Sequence, residues 1–418
     1  MKWIKDDNTI KIPIKSWCKD IDDGALEQAE NLANHPATKN HVALMPDAHV
    51  GYGMPIGGVI ATEDAILPNA VGVDIGCGMG AIKTDFNAAD LEGMKNIRIV
   101  LDYVKERVPV GEGKSHKSPQ KWDGFPSYLK EIGVGDRVDD YNDPKLPGWF
   151  DNHTWKLAFK NLGTLGGGNH FIEMQESDDR YLWLMLHSGS RNLGNRIATY
   201  YHKLAQKFND KYNDELPDKD LAFFRTESEE GRDYIRDMNF AMAYAQENRK
   251  SMMNVFKEAI SELIGQVKFL EETNIHHNYA ALENHFEKSV WVHRKGATSA
   301  KKGEKGIIPG SMGTYSYIVE GLGNKESFQS CSHGAGRKMG RMAACRQLDI
   351  DECNTAMDGI VYDRWGKLKK FGKKMKGKDL YDLGESPLAY KDIDEVIKSE
   401  LDLIKPLVKL KPLGVVKG

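Results

Sequence analysis

His333 stands in the run Ser330-Cys331-Ser332-His333-Gly334-Ala335-Gly336-Arg337. An imidazole flanked by small residues is open to attack a large anionic group. Glycines let backbone approach a phosphate closely, and an arginine offers a bidentate phosphate clamp. Histidine is also a competent nucleophile toward phosphorus. Taken alone, the motif is better read as a buried histidine beside a turn. What favours chemistry is the rest of the chain.

Asp74-Ile75-Gly76-Cys77-Gly78 sets an acid and a thiol three residues apart among glycines. A bend there aims both side chains into one pocket, and the pair suits a borderline divalent ion such as zinc or manganese. A small buried cysteine beside a turn is the plainer alternative. In Gly166-Gly167-Gly168-Asn169-His170-Phe171-Ile172-Glu173 the glycines free backbone N–H groups for phosphate contact. There His170 can ligate a metal, Asn169 can orient a group, and Glu173 can read a base edge. Further candidates are His187-Ser188-Gly189-Ser190-Arg191, His276-His277-Asn278, His293-Arg294-Lys295-Gly296-Ala297 and Pro309-Gly310-Ser311-Met312-Gly313-Thr314. Each abuts Gly, Ser or Asn at an apparent strand end, and strand ends converging with His, Cys and Asp are what a metal site needs. His35, His41, His116, His153, His202 and His285 read as surface or packing residues.

The elements that must position these groups follow from periodicity. His41–Met45 reads as a buried strand running into a turn-rich loop, Pro46–Gly53. Ile56–Ile60 and Ala70–Val73 read as strands, the second broken by Gly76, Gly78 and Gly80. Residues 111–153, rich in Lys, Gly, Pro and Asp, read as a long surface excursion. Leu162–Glu173 is a glycine-rich turn entering a strand, and Trp183–Leu186 is another strand. Apolar residues from Arg232 to Ile264 recur at spacings of three and four, the pattern of a long amphipathic helix. Strands return at Ser289–His293 and Thr314–Val319, and Gly340–Leu348 and Asp392–Leu407 look helical. No repeat of solenoid period occurs. Because the polar motifs are scattered from residue 47 to the last ten residues, the chain reads as one domain, 1–418.

A formal net charge of −3 over 418 residues means that any nucleic-acid contact comes from a local basic surface rather than a global field. The run Lys367, Lys369, Lys370, Lys373, Lys374, Lys376 and Lys378 around Trp365 and Phe371 could lie on a polyanion, although for the individual lysines a solvated loop is the favoured reading. Arg191, Arg294, Lys295, Arg337 and Arg341 adjoin the proposed pocket. Five cysteines in so long a chain form no disulfide framework and read as reduced thiols of the cytoplasm. Met1–Trp17 reads as neither secretory signal nor membrane anchor, and no apolar run is long enough to span a bilayer.

Taken in order, these motifs resemble those of the RtcB-type RNA ligases, which join 3′-phosphate to 5′-hydroxyl RNA ends. The resemblance runs from Met45-Pro46-Asp47 to Val416-Lys417-Gly418. It includes Gly72-Val73-Asp74-Ile75-Gly76-Cys77-Gly78, Gly168–Glu173, His187–Arg191, His277-Asn278, Arg294–Ala297, Pro309–Gly313 and His333–Arg337. It implies a mixed α/β (α+β) fold, a single large domain of packed central β-sheets surrounded by helices. It implies two manganese ions, with Cys77 bridging them, His187 and His277 completing one shell, and Asp74 and His170 the other. It implies that His333 attacks the α-phosphate of GTP. The GMP then passes to an RNA 3′-phosphate, derived where necessary from a 2′,3′-cyclic phosphate, and the 5′-hydroxyl of a second RNA displaces it.

Carried over by position, the resemblance implies that Asn169 touches the α-phosphate. Glu173, Ser311 and Lys417 recognise the nucleotide, Tyr390 stacks nearby, and Ser316, Gly334, Ala335 and Gly336 complete the nucleotide site. Arg191, Lys295 and Arg337 bind phosphates of RNA. Implied partners are broken or spliced RNA such as tRNA halves and an accessory activating protein, with no membrane. One departure is Gly384, before Glu385, where the family commonly carries an acid; Asp47 and His49 match a family stretch without an assigned role. Two other readings compete. A metal-dependent phosphodiesterase leaves His333 without a purpose, and a non-catalytic RNA-binding protein leaves the metal set unexplained.

Overall fold

The computed structural model describes residues 1–91, 93–212, 215–368 and 380–418. Two sheets carry the architecture. The first has six strands in the order Trp3–Lys5, Ile14–Ser16, Thr38–Tyr52, Met54–Thr62, Lys288–Lys295 and Asn278–His285. The second has seven, in the order Phe269–His276, Gly78–Asn87, Tyr181–Ser188, Phe171–Ser177, Ile404–Lys417, Ser316–Gly321 and Lys305–Ile308. Its pairings are all antiparallel, and its two edge strands approach each other, so the sheet curls toward a barrel. This is the mixed α/β, single-domain arrangement expected.

Alternation along each strand sorts residues between two cores. Phe171, Trp183, Met185, Met79 and Ala81 meet Ile307, Met312 and Ile318 on one face. Ile172, Met174, Leu184, Leu186 and Ile82 face outward against helices Met94–Arg107 and Glu229–Leu263. The latter is the long amphipathic helix of the sequence pattern. Ser228 caps its N-terminus by accepting from Gly231 N, and Glu229 and Glu230 lie in its first turn, where the helix dipole favours negative charge.

Several sequence expectations require correction. Pro46–Gly53 is not a loop. The Thr38–Tyr52 strand runs through it, with register irregularities between Leu44 and His49 and between His49 and Tyr52. Such bulges re-aim side chains without ending a strand. Ala70–Val73 is not a strand: Pro68 opens a short helix, Pro68–Val71, because its missing N–H is no loss at the first helical position. Gly78 and Gly80 lie inside the Gly78–Asn87 strand rather than breaking one. Asp392–Leu407 is helical only at Ile393–Ser399, and Leu407 lies in the strand Ile404–Lys417. The 111–153 stretch does more than cross the surface. It carries a helix, Gly124–Glu131, and buries Phe125, Tyr128, Leu129, Trp149 and Phe150 in an aromatic cluster with Trp155, Phe240 and Tyr244. The lysine run lies outside the described residues from Lys369 to Lys378.

That cluster holds one buried charge, Asp237 of the long helix. Tyr128 OH and Arg236 Nε donate to its Oδ1 at 2.9 Å each, and Trp149 Nε1 and Tyr201 OH donate to Oδ2 at 2.7 Å each. Asp237→Asn makes two of these donors face an amide N–H. At about 1–3 kcal/mol for each donor left unpaired, we expect a loss of about 2–6 kcal/mol, read from the shift of the urea unfolding midpoint. An unchanged midpoint would show that the network carries no stability.

Candidate active site

The ligand candidates converge where strand ends of the second sheet meet the turn before it. Cys77 immediately precedes the Gly78–Asn87 strand, His170 precedes Phe171–Ser177, His187 ends Tyr181–Ser188, and His277 follows Phe269–His276. All four are buried. Cys77 Sγ lies 3.2 Å from His187 Nε2 and 3.5 Å from His170 Nε2, and His187 Nε2 lies 3.4 Å from His277 Nε2. Asp74 Oδ2 is 3.2 Å from His170 Nε2, and Asp74 Oδ1 accepts from Ser190 N at 3.2 Å. Gly189 is required here, since a Cβ at that position would overlap the Asp74 carboxylate.

The hydrogen bonds decide which nitrogens are bare. His170 Nδ1 donates to Leu165 O at 2.9 Å, and His187 Nδ1 donates to Asn169 O at 3.2 Å. A carbonyl only accepts, so each ring carries its proton on Nδ1 and presents the Nε2 lone pair inward. Lone pairs on sulfur, nitrogen and carboxylate oxygen thus crowd together. Burial drives the Cys77 thiol well above its ordinary range, with Asp74 adding to the rise, and drives His187 and His277 well below theirs. A cation relieves all of these at once. Cys77, His170 and His187 have ligand atoms within 4.8 Å of one another, and carbonyl-fixed imidazoles are the usual support of a metal ligand. The residues present therefore fit a divalent ion.

Next to this cluster stands His333, its ring centroid 4.8 Å from that of His277. Its Nδ1 donates to Asp47 Oδ2 at 2.6 Å, and its backbone N–H reaches the same oxygen at 3.2 Å. Among the described residues the Nε2 has no hydrogen-bond partner. Gly336, at φ 71°, brings this loop against Asp47; a Cβ there would come within 2.9 Å of the Asp47 Cβ. Behind the loop, buried Glu400 accepts from Ser332 N at 2.9 Å and also bonds the Ser332 hydroxyl. Burial raises the Glu400 carboxyl to about 8, against the lowering pull of Ser332.

His333 opens onto a cavity of about 390 Å³. Its lining includes Asn169, Glu173, Ser311, Ser316, Gly334, Ala335, Gly336, Arg337, Tyr390 and Lys417, together with His187. Glu173 Oε2 accepts from Gln175 Nε2 at 2.5 Å, while the buried Oε1 has no partner among the described residues. Burial lifts the Glu173 carboxyl to about 8, although Gln175 and Lys417 oppose the rise. On the far wall Glu385 gathers Arg337 (3.1 Å), Arg341 (2.7 Å), Lys417 (3.1 Å) and the Tyr390 hydroxyl (2.5 Å). Burial pushes Glu385 up, but Lys417 and Arg341 outweigh it and hold the carboxylate at about 2. Gly384 contributes its carbonyl, which accepts from Arg337 Nη2 at 2.5 Å.

Two phosphate candidates lie elsewhere. Arg191, in a left-handed conformation at φ 58°, opens the helix Arg191–Tyr212 and donates Nε to Thr164 Oγ1. A non-glycine residue held there stores strain, which concentrates at functional sites. It lines a separate cavity of about 580 Å³ with Lys114, Gly167 and Gly168. Lys295 is buried, its Nζ donating to Tyr52 O at 2.5 Å and Asn69 O at 3.0 Å. Burial brings its ammonium down to about 7, with Asp220 opposing.

Comparison with known proteins decides the family. The family model described as tRNA-splicing ligase RtcB matches residues 28–418. RNA-splicing ligase RtcB1 of Escherichia coli strain ATCC 25922 is 39% identical over 424 residues, covering 98% of each chain. RNA-splicing ligase RtcB of Escherichia coli K12 is 38% identical with the same coverage, and tRNA-splicing ligase RtcB of Thermococcus kodakarensis is 31% identical, covering 95% of this chain and 91% of its own. The chain belongs to the RtcB family.

In this RtcB family member the residue without an assigned role turns out to be central. Asp47 is fully buried and orients His333 across 286 residues of sequence. The signal was the acid in Pro46-Asp47-Ala48-His49, but its reading as a loop concealed an inward-facing strand residue. Glu385 was visible only as the neighbour of Gly384. Glu400 sits in no motif. No helix among the described residues is long and apolar enough to cross a membrane.

The donor set has a direct spectroscopic test. Titration with Co²⁺ is expected to produce a thiolate-to-cobalt absorption band, which Cys77→Ser abolishes. A wild-type protein that binds Co²⁺ without that band would remove Cys77 from the ligand set.

Proposed function

We propose that this chain is a GTP- and manganese-dependent RNA ligase. It joins RNA ending in a 2′,3′-cyclic phosphate or 3′-phosphate to RNA beginning with a 5′-hydroxyl, through a histidine–GMP intermediate, in tRNA splicing or RNA repair. The observation that carries this reading is one shared cavity, in which, among the described residues, a carboxylate-oriented imidazole whose Nε2 has no hydrogen-bond partner adjoins buried metal-ligand candidates and an unpartnered carboxylate oxygen.

Cys77, His187, His277, Asp74 and His170 would hold the manganese ions. When bound, the ions supply charge neutralisation at phosphate oxygens and activation of water for opening a cyclic end. His333 Nε2 forms a bond to the α-phosphorus of GTP as the bond to pyrophosphate breaks. Asp47 holds the Nδ1 proton and stabilises the charge the ring acquires, as the carboxylate does in a Ser-His-Asp triad. An oxygen of the RNA 3′-phosphate then attacks the same phosphorus, and His333 leaves. Last, the 5′-hydroxyl oxygen attacks the RNA phosphorus and GMP departs. Three displacements with good leaving groups thus replace one with a poor one.

Glu173 accepts from the guanine N–H edge, donors that adenine lacks, so it selects GTP. Asn169 touches the α-phosphate, Tyr390 stacks, and Ser311, Ser316, Lys417 and the Gly334–Gly336 backbone complete the pocket. Arg191 and Arg337 take RNA phosphates. Lys295, its ammonium occupied by two carbonyls, takes part only if those bonds open.

The decisive experiment omits RNA. Incubation with α-labelled GTP and Mn²⁺, followed by a denaturing gel, is expected to give label on the protein that is acid-labile and alkali-stable. His333→Ala gives none, and α-labelled ATP gives little. Asp47→Ala slows labelling by about 10²–10⁴-fold, the usual range for a lost proton-handling group. Label that persists in His333→Ala, or no label in the wild type, would end this reading.

A further inference from the structure

The apolar stripe of the helix Glu229–Leu263 faces the core, yet two adjacent polar residues near its middle, Asn248 and Arg249, are also buried, at 0% and 1% exposure. Buried guanidinium groups are ordinarily paired with a carboxylate. Those of Arg249 bond neutral groups instead. Nε donates to Asn274 Oδ1 at 2.7 Å, Nη1 to Gly76 O and Ser188 O at 2.9 Å each, and Nη2 to His276 Nδ1 at 3.1 Å. The same His276 Nδ1 lies 2.8 Å from Gly76 O, so Arg249, Gly76 and His276 meet at one point. Burial, with Arg249 beside it, holds His276 down at about 4.

Asn248 does the same on its own side. Its Oδ1 accepts from Gly163 N at 2.7 Å and Thr164 N at 3.1 Å. Its Nδ2 donates to Thr164 O at 3.2 Å, and to Ser188 Oγ and Gly189 O at 3.1 Å each. The positions of these partners are telling. Gly76 precedes Cys77, Ser188 follows His187, and His276 precedes His277. Thr164 precedes Leu165, whose carbonyl receives both His170 Nδ1 and Ser188 Oγ. Two neighbouring side chains thus reach every segment that carries a buried His or Cys of the cluster.

We propose that Asn248 and Arg249 form a polar clamp that fixes the ligand-bearing segments relative to one another and thereby sets the affinity of the site for divalent cations. They are positioning residues; neither lines the His333 cavity. The clamp draws no carboxylate into the site to compete for the cation, and it makes the cluster converge through bonds of the protein alone. The proposal rests on the metal reading of Cys77, His170, His187 and His277.

The test is a Co²⁺ titration of the full chain, followed by the thiolate-to-cobalt band and the visible bands of the ion, with thermal midpoints measured in parallel. Arg249→Lys and Asn248→Ala are expected to weaken Co²⁺ binding by about 10- to 100-fold, the usual effect of losing groups that orient metal ligands, and to alter the visible bands. Asp237→Asn, on the same helix but bonded to none of these segments, is the control. It is expected to lower the midpoint while keeping wild-type affinity and spectrum. Wild-type affinity and spectrum in either folded clamp variant would overturn the proposal. So would an equal loss in Asp237→Asn, since affinity would then merely follow stability. A wild-type protein giving no cobalt spectrum at all would instead overturn the metal reading itself.

Discussion

Ligand-type atoms from separate segments of the chain are held in contact at the heart of this molecule. A sulfur, two imidazole nitrogens and a carboxylate oxygen present their lone pairs to a common point, with separations between 3.2 and 3.5 Å. Such an arrangement does not form for its own sake. Each ring is locked by a carbonyl on its outer nitrogen, and each segment is tied to its neighbours by buried bonds. The cost of crowding is borne by the stability of the surrounding sheet and helices, which is the ordinary relation between a binding site and its scaffold. A cation placed among these atoms would be bound by all of them at once.

The placement of His333 depends on the other sheet. The Thr38–Tyr52 strand belongs to the six-stranded sheet, while the cysteine and histidines sit on ends of the seven-stranded one. The bulged register between Leu44 and His49 turns Asp47 inward, and the loop after the short strand Ser330–Ser332 lays His333 on it. The two sheets therefore meet at His333. A site assembled at a junction needs both partners rigid, and the buried Glu400 behind Ser332 serves that end from a third direction.

How much of this the sequence disclosed follows physical lines. Strands buried on both faces and the long helix were legible because periodicity is a local property. So were the histidines and the cysteine, since small residues beside a polar one mark a strand end. Illegible were the features set by distant partners. The stretch around Asp47 carries turn-forming residues, and its extended path is imposed by pairing with Met54–Thr62. Ala70–Val73 reads as strand until Pro68 is weighed as a helix start rather than a breaker. The aromatic residues between 111 and 153 lack periodicity because they enter the core one by one around Asp237. Asn248 and Arg249 lie on the apolar stripe of their helix by spacing, three and four residues after Ala245, but nothing in the sequence names the partners that let polar groups be buried there.

The two cavities divide the labour in a way that electrostatics explains. In the larger of the two, by Arg191, a guanidinium and glycine-rich backbone face solvent with a lysine beside them, a setting for an anion that arrives and leaves. In the His333 cavity every cation is already committed. Arg337, Arg341 and Lys417 all point at Glu385, whose carboxylate stays ionised down to about 2. A polyphosphate entering there meets cations held in fixed positions by a buried counter-charge, not free side chains that collapse onto it. The same cavity is lined by His333 and Glu173, neither of which is among the partners of Glu385. The arrangement of the cationic wall therefore depends on Glu385 as much as on the cations it gathers.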